Sequence, residues 1–191
     1  MHRRNRKLDV PSFHCIIIDR EDDMKYKITG KQPNSKMCLV CGMKNPLGLK
    51  TFFYETETKE LIAVFKPCEE HQSYPNRLHG GIAAAILDET IGRAILMHHD
   101  EEVWGVTIEI KTRFKKPMPL DGEITVIGRI TKEGSRFFEG TGELILSDGE
   151  IAATAEGKYL KLPLDEIADF DREENEWRVI HSDNDPESIE I

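Results

Sequence analysis

Residues 79–99 constrain the fold more than any other stretch. They hold Ala83, Ala84, Ala85, Ile86, Leu87, Ile91, Ala94, Ile95 and Met97. That spacing predicts one long helix, apolar over a wide arc and rich in small side chains. Such a helix is buried closely against a sheet and is not laid on a wet surface. The chain around it changes period. Val106, Ile108, Ile110, Thr112 and Phe114 alternate with Thr107, Glu109, Lys111 and Arg113, the two-residue repeat of a strand with one face inward. Further strands are expected at 47–55, 61–65, 124–130, 137–146 and 151–162. Ser147-Asp148-Gly149-Glu150 reads as a two-residue hairpin of type I′. Residues 31–46 and 67–78 read as loops. The order is strand, strand, helix, then four meandering strands. This is an α+β chain, with one antiparallel β-sheet wrapped around a single long central α-helix.

Charge divides the chain unevenly. The net charge is −9, and from Asp165 onward there are eleven acids and two bases; the rest carries 24 of each. The acidity therefore belongs to a tail, which is expected to be solvated. A neutral body argues against nucleic acid as a partner, because that binding needs a net basic face. The expected organisation is an N-terminal extension over 1–30, a folded domain over 31–164 and an acidic tail over 165–191. No run approaches the roughly 20 apolar residues of a membrane helix, and Cys15 to Ile18 is too short for a secretory core. A cytoplasmic protein with reduced thiols is expected.

Two features of the helix point to chemistry. His79-Gly80-Gly81 opens it, where first-turn amides lack intrahelical partners and the helix end is positive. A developing oxyanion would be stabilised there; by itself the motif is more often a tight turn. Asp88 lies among Ile86, Leu87 and Ile91, and a carboxylate in such company is costly unless it is paired or used. Asp88 follows Gly80 by eight residues, about 12 Å along one helix. One carbonyl cannot touch both within a chain. Joint action requires Asp88 of one subunit to meet the Gly80-Gly81 amides of another, so a catalytic reading predicts an obligate dimer with two composite sites. No Gly-x-Ser-x-Gly elbow occurs, so a serine-hydrolase reading has no support.

The segment from His71-Gln72-Ser73-Tyr74-Pro75-Asn76-Arg77-Leu78-His79-Gly80-Gly81 to Asp88 resembles the signature of PaaI-like hotdog-fold acyl-CoA thioesterases. Gly105 to Ile110 and Pro117 to Leu120 resemble the strand that follows the helix in that family. Cys38-Leu39-Val40-Cys41-Gly42 with Asn45-Pro46 is similar to the N-terminal segment of one bacterial branch. The resemblance spans roughly residues 36–163. It implies a hotdog fold, a soluble homodimer or dimer of dimers, no cofactor, and hydrolysis of acyl-CoA or a related thioester. In that scheme Gly80 with Gly81 polarises the thioester carbonyl. Asp88 is nucleophile or general base, Thr107 positions water or the carboxylate, and His79 holds the loop or the acyl carbonyl. Gln72 or Asn76 stands in for the polar helper of relatives, since Ser73 occupies its usual place. Arg113 is a candidate for coenzyme A phosphates, although a solvated charge is the commoner role. The same fold also serves non-catalytic acyl-CoA binding and dehydration by a His–carboxylate pair.

The cysteines form a separate question. Cys38-x-x-Cys41 and Cys68-x-x-His71 together make a Cys₃His ligand set for zinc. Two buried small residues in a turn, plus two incidental ones, are the preferred reading, and no metal is expected.

Overall fold

The computed structural model describes residues 24–99, 103–169 and 171–191; Cys15 and the rest of 1–23 lie outside them. The elements run β1 (Lys25–Lys31), β2 (Phe52–Thr56), β3 (Leu61–Phe65), α1 (Gly80–Arg93), α2 (Leu96–His99), β4 (Trp104–Phe114), β5 (Ile124–Glu133), β6 (Phe137–Ile145), β7 (Ile151–Leu162), α3 (Leu164–Ile167) and β8 (Ser188–Glu190). All strands join one sheet in the order β4-β7-β6-β5-β3-β2-β1-β8. Every pairing is antiparallel. The sheet wraps α1, which is the expected hotdog arrangement. No helix among the described residues is long and apolar enough to cross a membrane.

Backbone proximity sets how deeply α1 sinks. Ile86, Leu87 and Ile91 on its inner face are wholly buried with Phe53, Leu61 and Leu144 of the strands. Where the helix presses hardest, the sheet has no side chain. Gly128 pairs with Gly142, and Gly140 with Gly157. A Cβ on Gly128 would lie 2.8 Å from the Thr90 carbonyl oxygen, and one on Gly140 would lie 2.5 Å from Ile91 Cγ2. A second, smaller apolar cluster on the outer face joins Tyr26, Ile62, Ile127 and Ile145, with Ile189 and Ile191 of the C-terminus packed on it.

Several elements differ from expectation. The helical region is broken. Ala94 N–H bonds back to the Ile91 carbonyl, and Met97 and His98 likewise reach only three residues back. This tightening keeps Ala94, Ile95 and Leu96 buried. The strand expected at 47–55 begins only at Phe52, because Lys50 takes a positive φ of 53°. The 147–150 hairpin is not type I′. Only Gly149 has positive φ, at 82°, and its N–H bonds to the Leu146 carbonyl while Leu146 N–H bonds to Glu150. That is a type I turn followed by a left-handed glycine. β1 and β8 fall outside the sequence-derived pattern altogether. β8 pairs with β1 at Tyr26 and Ile189, so the acidic segment is not merely solvated. Lys31, nearly buried, bonds to Asp185 at 2.5 Å and to the Ile180 carbonyl at 2.6 Å.

Gly128→Ala tests the helix–sheet contact. The methyl group would meet helix backbone, which cannot step aside, so stability should fall by roughly 1–3 kcal/mol. Urea denaturation should show a lower midpoint with an unchanged slope.

Candidate active site

Asp88 sits two turns into α1, half-buried, and turns toward the edge strand β4. Thr107 Oγ1 donates to Asp88 Oδ1 at 2.9 Å and lies 3.1 Å from Oδ2. Tyr159 Oη on β7 lies 3.1 Å from Oδ1 and 3.2 Å from the Asp88 carbonyl oxygen. Two hydroxyls from two neighbouring strands therefore hold one carboxylate.

A β-bulge makes this possible. Strict alternation along β4 would put Thr107 on the face opposite Ile110, Thr112 and Phe114. Instead the register with β7 jumps between Thr107 and Glu109. Ile108 is the extra residue and is 53% exposed. The inward face thus changes parity at Ile108, and Thr107 joins the helix side. The expectation that Ile108 packs inward is corrected by the same bulge. Gly105 lets β4 approach, since a Cβ there would lie 3.0 Å from the Gly92 carbonyl oxygen and 2.6 Å from the Phe138 ring. Tyr159 was not singled out by sequence. Its signal was present in β7, where Ala153, Ala155, Gly157 and Tyr159 fall on one buried face, leaving a phenol in the core to be satisfied. Phe138 stacks on it at 4.8 Å.

Burial raises the Asp88 pKa above the ordinary aspartate range. The hydrogen bonds from Thr107 and Tyr159 oppose that shift, and the neighbouring Glu89 charge adds to it. Burial and the adjacent Asp88 charge push the Tyr159 phenol up as well, so it stays protonated and donates.

At the start of α1, His79 is the N-cap, and its Nδ1 accepts from Gly81 N–H at 2.8 Å. Gly81 N–H, expected to share in polarising a carbonyl, is turned to the cap instead. Among the described residues no acceptor takes the Gly80 N–H. Gly80 lies beneath the Phe114 ring, which would be 3.3 Å from an added Cβ. The Gln72 side-chain oxygen accepts from Asn76 N–H at 3.3 Å, so these two exposed residues brace each other in the loop before the helix. Arg113 is exposed and alternates with Phe114, which puts it on the face of β4 away from Gly80. Within one chain, Gly80 and Asp88 remain at opposite stations of one helix.

A cavity of about 340 Å³ opens beside the carboxylate. Its walls include Asp88, Thr107, Tyr159, Trp104, Arg93 and Trp177. Trp177, from the acidic segment, stands 5.0 Å from Trp104 and 4.8 Å from the Arg93 guanidinium. Arg93 is buried and bonds to Glu89 Oε1 at 2.9 Å, to the Pro33 carbonyl at 3.0 Å and to Cys41 Sγ at 3.1 Å. The four-residue zinc set is not assembled. Cys38 and Cys41 converge on Glu89. Cys68 instead contacts His71 Nδ1 at 3.3 Å, and His71 Nε2 lies 3.0 Å from the Leu47 carbonyl oxygen.

Residues 76–153 match the thioesterase superfamily. The mouse acyl-coenzyme A thioesterase THEM4 is 23% identical over 163 residues, covering 84% of this chain and 67% of its own. A crystallised thioesterase superfamily protein aligns at 24% identity and a TM-score of 0.60, over 64% of this chain and 59% of its own. The E. coli PaaI protein from the phenylacetic acid degradation operon aligns at 13% identity and a TM-score of 0.54, over 60% of this chain and 80% of its own. The two solved structures share the fold. The chain spans about two thirds of the mouse relative's length and 59% of the first structure's.

The raised Asp88 pKa has a sign. A carboxyl that holds its proton more tightly when folded favours the folded state at acid pH. That advantage is lost as pH rises from the ordinary aspartate range through the raised value. Asp88→Asn should therefore be at least as stable as wild type at neutral pH. Its margin should shrink toward acid pH, as measured by urea denaturation across pH.

Proposed function

We propose that the chain is an acyl-CoA thioesterase of the PaaI-like type, working as a homodimer with two composite sites. The observation that carries this reading is a half-buried carboxylate, held by two hydroxyls, at the wall of a cavity. Thioester hydrolysis needs a carboxylate in a partly desolvated slot and a donor for the oxyanion. Asp88 fills the first role, attacking the carbonyl itself or drawing a proton from water. Its raised pKa makes it a stronger base than an exposed aspartate. Thr107 and Tyr159 fix which carboxylate lone pair is presented. The Gly80 N–H, at the positive end of α1, fills the second role. Gly81 acts through the cap: by engaging His79 it holds the first turn so that Gly80 points outward. Gln72 and Asn76 shape the loop that carries this turn.

The dimer follows from distance. Gly80 and Asp88 are about 12 Å apart along α1, too far to share a carbonyl. β4 is the edge of the sheet, and it presents Ile108 and Phe114 to solvent. An open edge with apolar side chains invites a second copy. Pairing there brings Phe114 and the Gly80 amide of one subunit toward Asp88 of the other. The name of the mouse relative supports coenzyme A as the thiol. Dehydration is less well supported, because His79 Nδ1 is committed to the cap.

Thiol release from a panel of acyl-CoAs, short to long and aliphatic to aromatic, tests the reading. Asp88→Asn should lower the rate by orders of magnitude while acyl-CoA binding persists, and Thr107→Ala should lower it by roughly 10–100-fold. Release from no thioester, with equal binding by wild type and Asp88→Asn, would favour a binding protein. The composite site has its own test. Asp88→Asn and Gly80→Val should each be nearly inactive alone; unfolded together and refolded as an equal mixture they should recover about a quarter of wild-type activity, since half the dimers then hold one intact site. No recovery from folded mixed dimers would place both residues of each site in one chain.

A further inference from the structure

The loop before β2 and the middle of α1 build a second constellation, one residue beyond Asp88. Cys38-Leu39-Val40-Cys41-Gly42 folds as a tight turn. Gly42 N–H bonds to the Cys38 carbonyl at 2.9 Å, and Val40 N–H bonds to Cys38 Sγ at 3.3 Å. A Cβ on Gly42 would fall 2.2 Å from the Cys38 carbonyl oxygen, so only glycine closes the turn. Both sulfurs then face α1, where Cys38 Sγ meets Glu89 Oε2 at 3.1 Å. Cys38 Sγ, Cys41 Sγ and a Glu89 oxygen all lie within 4.8 Å of one another.

Each of these groups is held from behind. Cys41 Sγ receives Arg93 at 3.1 Å and lies 3.4 Å from Ser35 Oγ. Glu89 Oε1 is taken by Arg93, which leaves Oε2 turned toward the sulfurs. All three residues, with Asp88, line the same cavity. Bonds of about 2.3 Å to sulfur and 2.0–2.2 Å to oxygen place tetrahedral ligand atoms roughly 3.5–3.8 Å apart. From atoms within 4.8 Å of one another, that spacing requires only side-chain adjustment. Two thiolates, one carboxylate and one guanidinium sum to −2, the charge a divalent cation cancels in a partly buried place.

We propose that Cys38 Sγ, Cys41 Sγ and Glu89 Oε2 bind one thiophilic divalent cation of the zinc class, with the fourth coordination position open to the cavity. Binding displaces the thiol protons to solvent. Ser35 and Arg93 orient the ligands from outside, as second partners of metal ligands do. The cation ties the loop over 35–42 to α1 next to the catalytic carboxylate. The proposal stands apart from the hydrolytic reading, because metal binding alone decides it.

The full-length chain, reduced and stripped with chelator, would be titrated with Co²⁺. One ion per chain should bind, giving the charge-transfer absorption of two thiolates and the intense visible bands of a four-coordinate site. Zn²⁺ should displace it. Cys38→Ser should halve the charge-transfer band, and Glu89→Gln should weaken binding by about tenfold or more. The Cys15→Ser/Cys68→Ser double variant and His71→Asn should leave the spectrum unchanged. The wild-type titration requires no variant to fold. Absence of the thiolate band in reduced wild type would overturn the proposal. So would a band that survives in Cys38→Ser/Cys41→Ser, or one lost with Cys15 and Cys68. Unchanged affinity in Glu89→Gln would remove the carboxylate from the site.

Discussion

The close approach of α1 to the sheet governs the rest of the molecule. Glycines on β5 and β6 remove the side chains that would hold the helix off, and the Thr90 backbone comes within van der Waals reach of Gly128. A helix set that deep brings its flank level with β4 and β7. Only then can hydroxyls on those strands reach a carboxylate on the helix. The costs of burying Asp88 and of fixing Thr107 are thus met by packing several residues away.

Much of this was legible in the sequence, for physical reasons. A lone apolar helix among two-residue repeats has few ways to bury itself, and the hotdog arrangement is one of them. Asp88 stood out because charge is rare in such a helix, and Gly80 because of its place at the helix start. Other parts were hidden. β1 and β8 form from sequences with weak alternation, and they exist because they pair with each other and with β2. No local pattern encodes that. The bulge at Ile108 is likewise a matter of register with β7. Alternation read along β4 alone puts Thr107 on the wet side, and it was the family resemblance that marked it.

The cysteines show the same limit from another side. Matching two short spacings paired Cys38 and Cys41 with Cys68 and His71. In space, the loop carrying Cys68 turns to Leu47, and the partner of the first pair is Glu89 on the helix. The other groups that enclose Glu89 come from the distant loop over 35–42. Arg93 pairs with Glu89 at i,i+4 spacing, which sequence can suggest, but its contact with Cys41 Sγ depends on the loop fold.

The wall formed by Trp177 has an evolutionary consequence. The carboxylate and its hydroxyls sit on elements whose geometry is locked by backbone contact, so they tolerate little change. The cavity facing them is closed partly by a segment that follows β7 and lies beyond the superfamily match. Connecting segments outside the regular elements vary in length and composition more freely than core strands. In such an arrangement the range of molecules admitted can drift from lineage to lineage while the proposed reacting groups stay fixed, so that selectivity and chemistry would be inherited on separate parts of one polypeptide.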